Sequence, residues 1–213
     1  VIWYTEALKR NAEPSPIWVW AQGIDENWTR IPSLYELKVQ LYLQLGRGTK
    51  GVLWFGPLGR AIPESNRPAW DEMGRLNREM KQVRKFLSVG DIAQLGQVVS
   101  AQPAPAKMDV ATILCEKAIV VVVTNLNYVH HSNRFNPYAF TPQTNVEVRI
   151  RIPSWLNIDN NIYEIVESTT QPVSWQRQGQ DILLSIDTVS AGRMFVIETG
   201  SQPTAAETWE DYR

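Results

Sequence analysis

The sequence predicts a two-part fold class, α/β plus all-β: a partial (β/α) barrel, represented by its last strands and helices, followed by an antiparallel β-sandwich. Three observations predict it. Residues 1–90 alternate amphipathic helices with short apolar strands. Residues 91–200 hold a succession of strand-like runs with no long helical period between them. Finally, two parallel strands do not make a stable sheet by themselves, so the remainder of the barrel, an upstream chain segment, is expected as their partner. Residues 201–213 read as a polar tail.

In order along the chain, residues 2–10 have helix-compatible composition and end in a polar turn rich in Pro14, Ser15 and Pro16. Ile17-Trp18-Val19-Trp20-Ala21 is an apolar run bounded by Pro16 and Gly23, the pattern of a strand buried on both faces. After a polar loop, Ser33 and Glu36 stand three apart, as a capping box requires, with Pro32 just ahead. Leu34, Leu37, Leu41 and Leu45 then recur at helical spacing until Gly46 and Gly48 end the helix. Gly51-Val52-Leu53-Trp54-Phe55 is the second short strand. Residues 70–87 carry Met73, Leu76, Met80, Val83 and Phe86 along one helical face.

Strand-like runs follow at 94–100, 110–115, 118–124, 146–152, 162–167, 172–175, 182–186 and 194–198. From Val146 to Ile152 apolar and polar residues alternate strictly, so one face is buried and one is wet. The junction at 88–91 is short, which predicts that the two parts pack against one another.

Composition excludes several classes. A net charge of −1 over 213 residues leaves no basic footprint for nucleic acid or an anionic membrane surface. The longest apolar run, 118–124, is too short to span a bilayer. Cys115 is the sole cysteine, so no internal disulfide is available, and in a strand it reads as a small buried apolar residue. His130 and His131 are adjacent and lack acidic or thiol neighbours at ligand spacing, so no metal is expected, and no cofactor motif is present. The chain begins at Val1 in what reads as the middle of an element, so a processed or truncated amino terminus is expected. Nine tryptophans are many for this length; indole fills cores and also stacks on sugar rings.

Three segments together resemble the last two barrel strands of bacterial glycoside-hydrolase-like proteins. They are Pro16-Ile17-Trp18-Val19-Trp20-Ala21-Gln22, Arg30-Ile31-Pro32-Ser33-Leu34-Tyr35-Glu36-Leu37-Lys38, and Gly48-Thr49-Lys50-Gly51-Val52-Leu53-Trp54-Phe55. Leu76-Asn77-Arg78-Glu79-Met80 resembles the closing barrel helix, and the run 118–125 resembles the small β domain that often follows such barrels. The resemblance implies a carbohydrate substrate met at the carboxyl ends of the barrel strands. It also implies two catalytic carboxyl groups. Here the chain departs from the pattern. Gln22 ends the first strand where many retaining glycosidases carry a nucleophilic Glu, and an amide cannot form a glycosyl ester. The catalytic carboxylates are therefore expected on upstream strands, or the barrel is not catalytic. Secretion or periplasmic export would suit a glycan-directed protein.

Within the chain, Asp25 and Glu26 are the only carboxylates placed near a barrel mouth and are the catalytic candidates, against a default of solvated loop charge. Trp18, Trp20 and Gln22 share one strand face, expected to be the barrel interior. Gln22 is either a sugar hydrogen-bonder or a cap for local backbone. Trp20 and Trp54 are either stacking platforms or barrel filling, and Trp18 is expected in the core. Arg30 either orients a substrate oxygen or anchors its loop through a salt bridge. Glu36 is fully explained as the capping-box acid. Tyr128, Phe135, Tyr138 and Phe140 lie in one long loop, which must cover something: the other part of the chain, or a glycan. The functional readings are a glycoside hydrolase when complete, with this piece alone inactive, or a non-catalytic carbohydrate-binding or structural module.

Overall fold

The computed structural model describes residues 2–23, 30–56, 64–129 and 136–200. Asp25, Glu26, His130, His131, Phe135 and the 201–213 tail lie outside them.

Helix α1 (Ile2–Ala12) precedes strand β1 (Trp18–Gln22), helix α2 (Leu34–Leu45) and strand β2 (Gly51–Phe55). The strands pair in parallel, from Trp18 opposite Gly51 to Gln22 opposite Phe55. Helix α3 (Arg67–Leu87) follows a short 3-10 turn, with Pro68 in its first turn, where a missing N–H costs nothing. Alternation sorts the strand residues between two faces. Val19 and Ala21 are buried beneath the helices, and Val52 and Trp54 pack there too, against a core that includes Leu37, Leu41, Met73 and Leu76.

The other face differs from expectation. The first run was expected to be buried on both sides, with Trp18 in the core. Instead Trp18 is 63% exposed and Trp20 60%, beside the exposed Leu53 and Phe55. The Trp18 ring lies over Gly51, where any Cβ would collide with it. The physical reason is that helices α2 and α3 cover only one side of this two-stranded sheet, and among the described residues nothing is layered on the other.

The rest is mostly antiparallel sheet. β3 (Asp91–Ala93), β5 (Met108–Cys115), β6 (Ala118–Asn125), β10 (Ile158–Val166), β11 (Thr169–Pro172) and β14 (Gly192–Thr199) form one sheet, in the order β11-β10-β14-β6-β5-β3. β4 (Gly96–Gln102), β9 (Gln143–Arg151), β12 (Ser174–Gln178) and β13 (Asp181–Val189) form the second, ordered β12-β13-β9-β4. Strand β9 keeps the alternation read from sequence, with Val146, Val148 and Ile150 buried. The run 172–175, expected to be one strand, is instead a corner: Pro172 ends β11 in one sheet and Ser174 begins β12 in the other. Pro172 has no N–H to donate and sits on an edge strand, the place in a sheet that tolerates it.

The three layers share their cores. Ile119, Val121 and Val123 of β6 point into the space between the sheets, while Ala118, Val120 and Val122 meet α2 and α3. Every residue of β6 is therefore buried, so an antiparallel strand reads as a continuous apolar run. Polar ties join α2 to α3 and the helical layer to β5. Buried Glu79 of α3 accepts from Tyr42 (2.8 Å), Arg75 (2.7 Å) and Lys38 (3.4 Å). Arg47 forks onto Asp109 (2.6 and 3.0 Å) and also reaches Glu6 (2.9 Å). No described helix is long and apolar enough to cross a membrane.

Candidate functional site

The carboxyl end of β1 opens into a cleft of about 500 Å³, whose lining includes Trp3, Gln22, Arg30, Gln40, Tyr128 and Tyr138. Parallel pairing sends the Gly23 N–H to the Phe55 carbonyl (3.0 Å), so the backbone groups of Gln22 point the other way, along the open edge of β1. There the side chain of Gln40 meets both: its Oε1 accepts from the Gln22 N–H (3.1 Å) and its Nε2 donates to the Gln22 carbonyl (2.6 Å). The Gln22 side chain donates to the Arg30 carbonyl (3.3 Å), tying the strand end to the far side of its loop.

Arg30 itself is held by Glu36. Its Nη1 donates to Oε2 at 2.7 Å and its Nη2 to Oε1, a two-pronged pair. Glu36 also closes the capping box, accepting from the Ser33 N–H (2.7 Å) while its own N–H donates to Ser33 Oγ (3.3 Å). A further bond reaches the second half of the chain: the Tyr138 N–H donates to Glu36 Oε1 (3.2 Å). Burial pushes the Glu36 carboxyl up, but the Arg30 guanidinium and the Ser33 and Tyr138 N–H groups outweigh it and hold the carboxyl below its ordinary range. The Glu36 hydrogen bond in turn raises the Arg30 guanidinium, against the opposing effect of burial. A carboxylate held ionised in this way is unsuited to serve as a general acid.

The aromatic wall comes from a hairpin, β7 (Tyr128–Val129) and β8 (Ala139–Phe140), in which Tyr128 faces Phe140. Tyr128 and Tyr138 stack at 5.1 Å with planes 8° apart, the Arg30 guanidinium lies 5.4 Å from the Tyr138 ring, and Phe140 meets Tyr35 of α2 edge-on at 5.9 Å.

Of the residues nominated from sequence, Gln22 and Arg30 come together in this cleft. Trp20 lies instead on the open sheet face, edge-on to Phe55 at 5.9 Å. Trp54 is on the opposite face, turned to α3, where its Nε1 donates to Asn77 Oδ1 (2.9 Å). Sequence reasoning missed Gln40 and Trp3 and confined Glu36 to capping. One signal was present: Glu36 and Gln40 are four apart on α2, so they present side by side to whatever lies beneath that face. Among the described lining residues Glu36 is the only carboxylate. No described group of three or more His, Cys, Asp or Glu could hold a metal ion.

No known protein-family profile matches the chain, and no curated protein sequence is significantly similar to it. Solved structures are similar in fold. A cycloisomaltooligosaccharide glucanotransferase from Paenibacillus sp., complexed with cycloisomaltoheptaose, overlays 78% of this chain and 27% of its own with a TM-score of 0.55 at 11% identity. The chain shares its fold with part of that enzyme. Looser overlays are a glycoside hydrolase family 30 subfamily 8 xylanase from Clostridium acetobutylicum (TM-score 0.47, 14% identity, 90% of this chain and 44% of that one) and a Thermotoga maritima α-fucosidase in complex with fucose (0.46, 10%, 88% and 41%). The chain thus spans less than half the length of each of these structures, all of them carbohydrate-active enzymes.

Proposed function

We propose that this chain is part of a glycoside-hydrolase-like protein acting on carbohydrate, with residues 1–90 contributing two neighbouring strands of a (β/α) barrel and residues 91–200 an accessory sandwich. One observation carries the reading: β1 and β2 are parallel neighbours whose helix-facing side is sealed while the other side presents Trp18, Trp20, Leu53 and Phe55 to solvent. An open parallel edge and a bare aromatic face are what further barrel strands would complete. The similar overlay with the Paenibacillus enzyme supports the fold assignment. In a completed ring Trp20 would face the interior near the mouth and meet the sugar, with Gln22 and Arg30 in the cleft at the strand end. The catalytic carboxylates would stand on other strands. The ends of both strands in hand, Gln22 and Phe55, carry none, which also favours a second reading as a non-catalytic carbohydrate-binding module.

Retention and cleavage of neutral oligosaccharides, measured on one preparation, separate these readings. The chain alone should retain oligosaccharide without releasing reducing sugar, and Trp20→Ala should weaken retention. Hydrolysis appearing only when further barrel strands are supplied supports the enzyme; its continued absence supports the binding module. Hydrolysis by the chain alone, abolished by Asp25→Asn or Glu26→Gln, would return the chemistry to those two loop carboxylates. Absence of any glycan retention would reject both readings.

A further inference from the structure

Resting on that reading, we infer that the β7–β8 hairpin and α1 build a separate saccharide subsite, in which a neutral sugar ring lies in the 500 Å³ cleft against Tyr128 and Trp3 and hydrogen-bonds to Gln22. The subsite lies off the open sheet face: Trp3 and Tyr128 line the cleft, whereas Trp18, Trp20 and Phe55 do not.

Three features carry the inference. Trp3 is 76% exposed and Tyr128 40% exposed, and both border the cleft, whose polar groups include the Gln22 and Gln40 amides. A partly exposed aromatic ring beside amide groups is the combination that takes up a sugar, whose C–H faces are apolar and whose edge is ringed by hydroxyls. Second, the charges cancel. Arg30 and Glu36 neutralise each other at short range, leaving amides, aromatic rings and the aliphatic Ile2, Pro32, Val39, Leu43 and Leu126 as the remaining described lining, so among the described residues nothing compensates the charge of a uronate, sialate or phosphate. Third, the walls are already held in place. Gln40 clamps the Gln22 backbone, and Tyr138 is fixed by Glu36 through its N–H and by Tyr128 through its ring, so little conformational freedom remains to be lost on binding. The sandwich would then extend the glycan site rather than merely cover the helices.

The test is calorimetric titration of the full 213-residue chain with isomaltoheptaose, xylohexaose and, as the acidic comparison, tri-galacturonate. Wild type is compared with Trp3→Ala, Tyr128→Ala, Tyr128→Phe and Trp20→Ala, each checked by near-ultraviolet circular dichroism. A stacked sugar predicts that Trp3→Ala and Tyr128→Ala each weaken binding of a neutral oligosaccharide by about tenfold. Tyr128→Phe, which keeps the ring, should retain most of the affinity. Binding that survives Trp3→Ala and Tyr128→Ala but falls with Trp20→Ala would overturn the subsite and leave the parent reading standing. Preference for tri-galacturonate would overturn the neutral class, and no binding of any of the three by wild type would overturn subsite and parent reading together.

Discussion

Gln40 takes the place of a neighbouring strand for Gln22: one side-chain amide satisfies both the N–H and the carbonyl that Gln22 turns to the open edge of β1. It is the geometry of a ladder pair made by a side chain. The edge is thereby closed at the site end, while Trp20 and Trp18, two and four residues earlier, turn their backbone groups to the same edge.

Replacing Gln40 by Ala should therefore loosen the end of β1 specifically. Two part-buried hydrogen bonds are lost, for a destabilisation of about 1–2 kcal/mol in urea titration. The Gln22 amide should lose protection from hydrogen exchange while Val19, which is bonded towards β2, keeps its own. Equal protection of Gln22 in both proteins would show that the clamp is not maintained in solution.

Glu36 joins three elements, so its titration should be visible in stability. Its folded carboxyl titrates below the ordinary 4.5, and the stabilisation it confers is complete above that value and disappears as pH falls through the lower folded one. At pH 7, Glu36→Gln should be less stable than wild type by about 1–3 kcal/mol, the range for a hydrogen bond to a charged group. That gap should close on acidification below pH 4.5. Thermal midpoints of both proteins across pH 2–7 measure it, and a gap independent of pH would contradict the assignment.

Gly192 of β14 lies directly against Tyr42 of α2. A Cβ there would stand 2.6 Å from Cδ2 of Tyr42, which is fully buried and bonded to Glu79, and 3.1 Å from the Val123 carbonyl. Neither neighbour is free to retreat. Gly192→Ala should cost about 1–3 kcal/mol through overpacking. The double variant with Tyr42→Leu should recover part of it, since removing the ring removes the collision; additive losses would argue against this contact.

Cys115 should be inert in the folded protein. Burial pushes its thiol up to about 12, with the Lys50 ammonium only partly opposing that shift. At pH 8 the thiolate fraction is then on the order of 1 in 10,000. An aromatic disulfide reagent should label Cys115 only after denaturant is added, and labelling complete within minutes under native conditions would be inconsistent with this burial.

Local rules were legible in the sequence. The Ser33–Glu36 capping box, the α3 stripe from Met73 to Phe86 and the period of Val146, Val148 and Ile150 all depend on residues a few positions apart, and all are present. Ends were less legible: the small β3 strand and the β7–β8 hairpin were not anticipated, because strands of two or three residues carry no period. Of the cleft lining, Gln22, Arg30 and the loop aromatics Tyr128, Tyr138 and Phe140 drew attention in the sequence, and Gln40 and Trp3 did not.

By itself the sequence determined which residues travel together: Trp18 with Trp20 and Gln22, Val19 with Ala21, Ala118 with Val120 and Val122. Which neighbour each set would meet was decided only by tertiary structure. Periodicity says that two sides of a strand differ, but whether a side is covered depends on elements distant in the chain. The helices chose the Val19 side of β1 and left the tryptophans in solvent, whereas β6 was covered on both sides. The same holds for Glu36, whose capping role needed only Ser33 three residues away, and whose bond to Tyr138, 102 positions on, arose only when the sandwich packed against the helix.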